Sequence, residues 1–591
     1  MLKAMLISVI IVCVLIIFRR YIVKAEEYLR LKNLDILVII SGSVIIGTSL
    51  LSPTLHAEWW MYNDHEIMHF IGKQRALHAS KFNLPLYLSD TEVGEFGKSL
   101  RFRPIFYSVR IMESFLWGNS ALGWWALRMF FFIATFAILW YLVSRPLGIV
   151  SGAVFSLWVF SSRRYWTDIY DTISTQEIYC VIGVALYALG FYTAVKKVMK
   201  CRERPPLFSW IIMLIGGVLA IGSKENFVMM VVPAFILLAF LLWQKKADWL
   251  AWTTTILLAL FSTLIIAAIA IAVSHTGHDY YCTKVSVETS TGIAINAIKQ
   301  LISYEYNVGV IVVVLFFELI FGVFFRKALN EYLKLTAKFA VVLVLLGVLI
   351  VSQKVFYHGN WPVGTRYDFP GMLFENFYAL SVAVYVIQNM KLLKMSINVP
   401  YTFVSICIGF MIYVCIQSGL PIHRGAKIAA SCTRQFTMRI TQITATAKGH
   451  PEMPILIESS TLADYETIGS LRRFLLAGGV TNKMYLRLHD QEGYYDKNNS
   501  LQIENYGRLV LMSKGNYSSN YDKSNFTPNY SIGGFEPLSN LPQNHITIYF
   551  YSKESLLGFY CLLVRKDRAA HRFSLGMSHD ICRTHQVRLL S

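Results

Sequence analysis

Cysteine is scarce in this chain: nine in 591 residues, with no CxxC pair and no spacing that suits zinc, which excludes a disulfide framework and a zinc-stapled fold. Cys13, Cys180, Cys407 and Cys415 fall inside apolar runs, where a thiol serves as a small hydrophobe. Of the other five, Cys432, Cys561 and Cys582 in the C-terminal region and Cys282 in a loop are open to oxidation, and Cys561 with Cys582 is the expected bridge. Charge is scarce as well, at 15% of residues against 55% hydrophobic. No nucleotide-binding P-loop and no GxGxxG appears, so the two commonest phosphate-cradling loops are missing. There is no internal repeat and no low-complexity tract, which excludes solenoids and arrays.

What fills the chain instead is apolar run after apolar run, each of a length that matches a hydrocarbon core of about 30 Å. Twelve are expected to be helical: 2–18, 34–52, 123–143, 147–160, 176–195, 207–222, 227–243, 249–273, 309–325, 339–352, 371–390 and 400–417. Two of these, 147–160 and 339–352, are short for a span and read as tilted, broken or re-entrant. The run 2–18 is flanked by Lys3, Arg19 and Arg20 and is followed by no small-residue cleavage site, so it reads as a retained anchor helix. The fold class expected is therefore mainly α, a polytopic membrane protein of about twelve transmembrane helices.

The formal charge of +19 would suit a nucleic-acid partner if it were concentrated on one face. It is spread through short connections instead, and it alternates. With 19–33 inside, the inner loops hold 19 Lys and Arg in 56 residues and the short outer loops 7 in 72. A bias of that size sets orientation by the positive-inside rule. It puts both termini, the long loop 53–122 and the tail from 418 on the outer side, as in a multi-pass plasma membrane or bacterial inner membrane protein, and it makes nucleic acid an unsuitable partner.

The tail changes character. Strand-length apolar runs stand at 454–459, 483–488, 507–512 and 546–551, with a helical pattern over 464–477 between the first two. That order predicts an extracytoplasmic α/β domain over 418–591, after an extra helix and linker (1–33) and a membrane domain (34–417). Residues 515–544 are rich in Asn, Ser, Tyr, Gly and Pro and read as a long loop. Asn498, Asn516, Asn525 and Asn529 are glycosylation acceptors, used only in a secretory pathway.

Every stretch with chemical potential falls on the outer side. WWMYNDHEIMHF (59–70) sets Asp64, His65 and Glu66 just past an apolar run, where ionisable groups are costly and mark function. SLRFRPIFYSVR (99–110) follows in the same loop, with Arg101 and Arg103 before a proline; contact with lipid headgroups would explain these arginines equally well. YWTDIYDTISTQEIY (165–179) supplies Asp168, Asp171 and Glu177, which solvation alone would also explain. GSKENF (222–227) places Lys224 beside Glu225 in a very short connection, as a site or as a structural ion pair. HGNWPVGTRYDFPG (358–371) combines glycines and prolines with Arg366 and Tyr367; arginine's planar fork suits phosphate oxygens, although Asp368 is a ready partner for it.

These residues resemble the GT-C superfamily of integral membrane glycosyltransferases, which includes the protein O-mannosyltransferases and many bacterial polysaccharide-modifying enzymes. The resemblance covers roughly 34–417. NDHEIMHF looks like the family's acidic motif in the first outer loop, 101–104 like its RFRP-type stretch, 223–226 like the SKEN stretch of the tetratricopeptide-bearing branch, and 366–370 like its late Arg-Tyr-x-x-Pro stretch. All four match in order and sidedness. Two departures stand out: His65 splits the acidic pair, leaving either Asp64 or Glu66 as the base, and the helix 2–18 precedes the family's usual first helix. The resemblance implies inverting transfer of a sugar from a polyprenyl phosphate or diphosphate donor to an acceptor glycan, lipid or protein. A carboxylate, Asp64 or Glu66, would take the acceptor's proton. Substrate would be held by Arg101, Arg103, Asp168, Glu177, Lys224, Glu225, Arg366 and Tyr367, with cations on the departing phosphate. A divalent cation, Mg or Mn, would find two oxygen ligands in Asp64 and Glu66 and needs at least a third, which the sequence does not assign.

Three other readings compete. A transporter or flippase of a lipid-linked sugar would line a path with Lys224, Glu225, Glu318 and Glu375, but no two similar halves are present. A polysaccharide polymerase or ligase would carry its catalytic loop late in the chain, and a membrane-anchored binding module would leave the outer-loop stretches without a role. The topology is directly testable. In intact cells, cysteines introduced at Ser120 and Ser460 should react with an impermeant thiol reagent while native Cys201 stays unlabelled; labelling at Cys201 would invert the orientation.

Overall fold

The computed structural model describes residues 2–76, 83–162, 165–276, 291–293, 295, 296, 299, 329–357, 366–392, 398–459, 465–488, 536, 540–552 and 560–565. Two compact units emerge, one of residues 1–57 with 83–431 and one of 58–82 with 432–591. Eleven of the twelve apolar runs are helices, and 309–325 lies outside the described residues, as do Cys582, the run 507–512 and the four glycosylation acceptors. Among the described residues seven helices are long and apolar enough to cross a membrane, or eight if a bent N-terminal pair forms one span. The chain is a multi-pass helical membrane protein with a small sheet.

In the first unit the helices are α1 (Leu2–Ile17), α2 (Arg19–Leu31), α3 (Leu34–Leu51), α5 (Leu84–Leu88), α6 (Pro104–Trp117), α7 (Ala121–Leu147), α8 (Ile149–Ser161), α9 (Tyr165–Tyr170), α10 (Glu177–Lys196), α11 (Leu207–Ile221), α12 (Val231–Trp243), α13 (Trp249–Thr276), α14 (Leu329–Tyr357), α15 (Phe374–Leu392) and α16 (Asn398–Ser418). The run 339–352 proves to be only the apolar part of the 29-residue α14, whose first turns carry Glu331, Lys334 and Lys338. It is long enough to span, so the expectation of a short segment fails there. By contrast α8, at 13 residues, reaches only about 20 Å at 1.5 Å per residue and stays short. The core of the first unit is aromatic: Phe132, Phe136, Phe160, Trp166 and Tyr170 are all buried and meet edge-to-face, stacked or tilted.

The break between α7 and α8 is tight, and α2 explains how it is tolerated. α1 and α2 meet at 72°, so α2 turns away from the direction of the first helix. Its Glu26 carboxylate accepts from the free amides of Ile149 (2.8 Å) and Val150 (3.2 Å) at the start of α8. Its Arg30 donates to the Ser144 carbonyl in the last turn of α7 at 2.8 Å. One amphipathic helix thus supplies an anion to one helix N-terminus and a cation to the neighbouring C-terminus, the signs that the two helix dipoles favour. Arg145 closes the same corner on Asp35, 2.8 Å away.

α10 and α11 approach through small residues. A Cβ on Gly183 would sit 2.8 Å from the Gly216 carbonyl, one on Gly216 would sit 2.4 Å from the Tyr187 amide, and one on Gly190 would sit 2.5 Å from the Ser209 carbonyl. In a membrane, where lipid is as apolar as leucine, such close backbone approach is what draws helices together. This pair matters because α10 begins with Glu177 and α11 ends just before Lys224.

The second unit comprises α4 (Met61–Ala76), α18 (Tyr465–Ala477), the C-terminal half of α17 (Pro421–Gly449) and a four-stranded sheet ordered β2-β1-β3-β4. β1 (Ile455–Ser459) is parallel to β2 (Met484–Leu488) and to β3 (Ile546–Ser552), and β4 (Tyr560–Arg565) is antiparallel to β3. Parallel pairing needs a crossover, which α18 provides between β1 and β2. The run Ile455-Leu456-Ile457 is fully buried, as a central strand covered on both faces requires. Asn482 ties the entry to β2 to its surroundings, donating through Nδ2 to the carbonyls of Ala447, His450 and Met453 at 3.2, 2.8 and 2.7 Å.

The glycine contact in the first unit yields a prediction. Gly216→Leu overfills the α10–α11 contact and should cost about 1–3 kcal/mol, read as a lowered unfolding midpoint of the purified chain in detergent. An unchanged midpoint would mean that the two helices do not depend on this approach.

Candidate functional site

Pro104 fixes the backbone for the first turn of α6 and holds Arg103 ahead of it out of the helical region, at φ −126° and ψ 66°. The free amides of Ile105 and Phe106 in that first turn need an acceptor. Both donate to the Gly222 carbonyl, at 3.0 and 3.2 Å. Gly222 is the C-terminal cap of α11, and a Cβ on it would stand 2.2 Å from Ile105. Only glycine lets the two helix ends meet, so the RFRP and GSKEN stretches, far apart in sequence, are joined backbone to backbone.

Side chains reinforce the joint. Arg103 is buried and donates Nε to Glu92 Oε2 at 2.9 Å, Nη2 also bonds the same carboxylate, and Nε lies 3.7 Å from Glu225 Oε1. Burial alone would make the guanidinium easier to discharge, but the Glu92 carboxylate, the Tyr107 hydroxyl and the Glu225 carboxylate outweigh it and hold Arg103 charged well beyond its ordinary range.

Lys224 and Glu225 are neighbours in sequence and not in partnership. Lys224 is extended (φ −156°, ψ 131°) where a 3₁₀ turn, Glu225–Met230, begins, so the two side chains leave in different directions. Lys224 Nζ bonds Glu177 Oε1 at 2.9 Å, both side chains being wholly enclosed. Glu177 opens α10, where a carboxylate suits the helix dipole. The ammonium also lies 3.5 Å from the Arg366 carbonyl and 5.8 Å from the centre of the Tyr367 ring. Asn226 donates to the Phe369 carbonyl at 3.0 Å, and the rings of Phe227 and Phe369 meet at 5.2 Å. The 366–370 stretch, with its cis Phe369–Pro370 peptide, is thereby fixed to GSKEN.

Arg366 completes the group. Its guanidinium lies 5.5 Å from the Tyr367 ring centre. Burial would lower its pKa, yet the Glu177 carboxylate, the Tyr367 hydroxyl and the Asp171 carboxylate more than offset it, so Arg366 stays cationic above its ordinary range. Glu177 is thus a partner in charge for Arg366. Tyr367 is 38% exposed and is the outward-facing member. Four buried oxygens here, Glu177 Oε2, Ser223 Oγ, Glu225 Oε1 and Asn226 Oδ1, have no hydrogen-bond partner among the described residues. Such orphans are uncommon in a settled core.

Six of the eight residues expected to hold substrate therefore converge: Arg103, Glu177, Lys224, Glu225, Arg366 and Tyr367. Arg101 stands two residues before Arg103 and Asp168 lies on the short α9, both half-buried. Asp64 and Glu66 belong to the second unit. There Asp64 is buried in the first turn of α4, and its Oδ2 accepts from the Trp60 amide at 2.8 Å, the reach-back of a helix-capping carboxylate. Glu66 is half-buried on the same helix. Of the charges on which a transport path would depend, Glu375 is half-buried on α15 and Glu318 lies outside the described residues. Among the described residues no three His, Cys, Asp or Glu side chains gather to hold a metal ion.

Sequence reasoning missed a second buried network beside the first. Arg128, inside the apolar α7, grips both oxygens of Glu113 at 2.9 Å each and bonds the Tyr179 hydroxyl at 2.8 Å and the Ile173 carbonyl at 3.0 Å. Tyr179 in turn donates to Glu113 Oε2 at 2.5 Å. The signal was present: an arginine within an apolar run needs a carboxylate, and Glu113 is one of few available.

No family model matches the chain, and no curated protein matches it. Among solved structures, the chain is similar to ArnT from Cupriavidus metallidurans bound to undecaprenyl phosphate, at 9% identity over 88% of this chain and 93% of that one, with a TM-score of 0.34. At that level of similarity it is this chain's own side chains that must carry any reading of function.

Proposed function

We propose that this protein is a membrane glycosyltransferase that moves a sugar from a polyprenyl-phosphate-linked donor to a glycan, lipid or protein acceptor on the outer side of the membrane, inverting the anomeric centre. The observation that carries the reading is the convergence of three family-like stretches, RFRP, SKEN and RYDFP, with Glu177 into one buried group of cations and carboxylates. A core built only for stability has little use for so many desolvated charges.

The chemistry asks for few parts. The donor's phosphate becomes a better leaving group as its negative charge is met by fixed cations in a medium of low dielectric. Arg366 offers a planar fork for two phosphate oxygens and Lys224 a compact charge in support. The partnerless oxygens of Ser223, Asn226 and Glu177 offer acceptors to the sugar's hydroxyls. A donor that arrives within the bilayer needs neither a P-loop nor a Rossmann motif. A carboxylate of the NDHE stretch, Asp64 or Glu66, takes the acceptor's proton as the anomeric carbon develops positive charge. The positive-inside bias supports an outer-facing site.

Two experiments test this. In a purified transfer assay, Asp64→Asn or Glu66→Gln, whichever removes the base, should slow turnover by roughly 10²- to 10⁴-fold while lipid donor still binds. Full transfer by both variants would take the base out of this loop and move the transporter reading ahead. The ion pair gives the second. Lys224→Met removes the cation hydrogen-bonded to Glu177 and leaves it only Arg366, which should cost about 3–5 kcal/mol of stability, whereas Glu177→Gln with Lys224→Met should regain most of it. If that double variant is stable and still transfers sugar at the native rate, the pair is structural only, and Arg366→Lys with undiminished activity would remove the arginine as well.

A further inference from the structure

Among the described residues Arg110 is the one fully buried cation that neither the candidate site nor its neighbouring network uses. It is 0% exposed, and among the described residues it alone has Nε, Nη1 and Nη2 all without a hydrogen-bond acceptor. It sits in the middle of a ladder of alternating guanidinium groups and aromatic rings. Arg103, just ahead of α6, and Arg110, seven residues later within it, lie 5.4 and 4.9 Å from the Phe106 ring centre. Arg110 and Arg128 each lie 5.8 Å from that of Trp124, and Arg128 lies 4.9 Å from that of Tyr179. Both ends of the ladder are neutralised, Arg103 by Glu92 and Glu225 and Arg128 by Glu113. The middle is not. Glu113 is one turn along α6 from Arg110, but both its oxygens are taken by Arg128 and one also by Tyr179.

Ring faces offset part of a guanidinium's charge, but they accept none of its five in-plane N–H bonds in the way an oxygen does. A desolvated guanidinium with that edge unsatisfied is costly unless an anion meets it. The planar fork of nitrogens matches a pair of oxygens on one phosphorus better than it matches a single point charge. We infer that Arg110 is the centre of an oxyanion subsite that takes a phosphate group, separate from the Glu177–Lys224–Arg366 group and independent of the glycosyltransferase reading. Its phosphate comes either free or as the headgroup of a membrane phospholipid.

The full chain in phosphatidylcholine nanodiscs gives the test. Inorganic phosphate, compared with chloride at equal ionic strength, should raise the unfolding midpoint by mass action if the ligand is free phosphate. A rise confined to nanodiscs that contain phosphatidic acid would assign the site to a lipid headgroup. In either case Arg110→Met should abolish the rise and Arg110→Lys, which keeps the charge and loses the fork, should weaken it. No rise in the native protein under either condition, or an equal rise in Arg110→Met, overturns the inference and leaves Arg110 as an aromatic-caged cation. Should Arg110→Met fail to accumulate, equilibrium dialysis of the native chain against radiolabelled phosphate replaces it. The absence of a saturable site there, with no response to phosphatidic acid, counts equally against the subsite.

Discussion

Charges that have left water must find each other, and the first unit is arranged around that requirement. Glu177 and Lys224 are both wholly enclosed, 2.9 Å apart, and neither is tolerable there without the other. Bringing them together takes two helices in the correct register, α10 starting at Glu177 and α11 ending at Gly222. The glycines between those helices are what permit the register. The same demand recurs at Arg103 with Glu92 and Glu225, at Arg128 with Glu113, and at Arg145 with Asp35. Each joins segments that hydrophobic contact alone would let slide, because apolar side chains do not discriminate one helix register from the next.

Much of this was legible in advance. Apolar runs announce helices because the hydrocarbon core sets their length, and residues 454–459, 483–488 and 546–551 announced strands as short apolar runs of strand length. The stretches around Arg103, Lys224 and Arg366 were recognisable one by one. Their convergence was not, since it depends on the carbonyl of Gly222, a backbone group that carries no sequence signal beyond the absence of a side chain. The partner of Lys224 was hidden for a related reason: adjacency to Glu225 suggested a pair, and only the extended backbone at Lys224 sends the ammonium to Glu177.

Other elements escaped because their patterns are mixed. The 29-residue helix α17 has an even blend of Ala, Thr and basic residues, and its buried positions, Ile422, Ala426, Ala429, Thr433, Phe436 and Ile440 among them, keep a helical spacing but mix small and polar side chains with the large apolar ones, which blurs the stripe. Within the long outer loop, helix α4 has almost no apolar periodicity to announce it, and α6 is a 14-residue helix too short for a span. β4 was not among the strand-length runs expected of the tail.

The bracket that α2 forms across the α7–α8 break bears on the origin of the N-terminal segment. An anchor acquired merely to hold a protein at the membrane would need no particular partner, and its loss would leave the remainder intact. Here Glu26 and Arg30 reach opposite poles of two adjoining helices. Residues 1–33 therefore act as a splint on the angle between α7 and α8, and so on the position of Arg128, which α7 carries, relative to the elements α8 supports. A chain shortened by these residues would keep the joint and lose its brace.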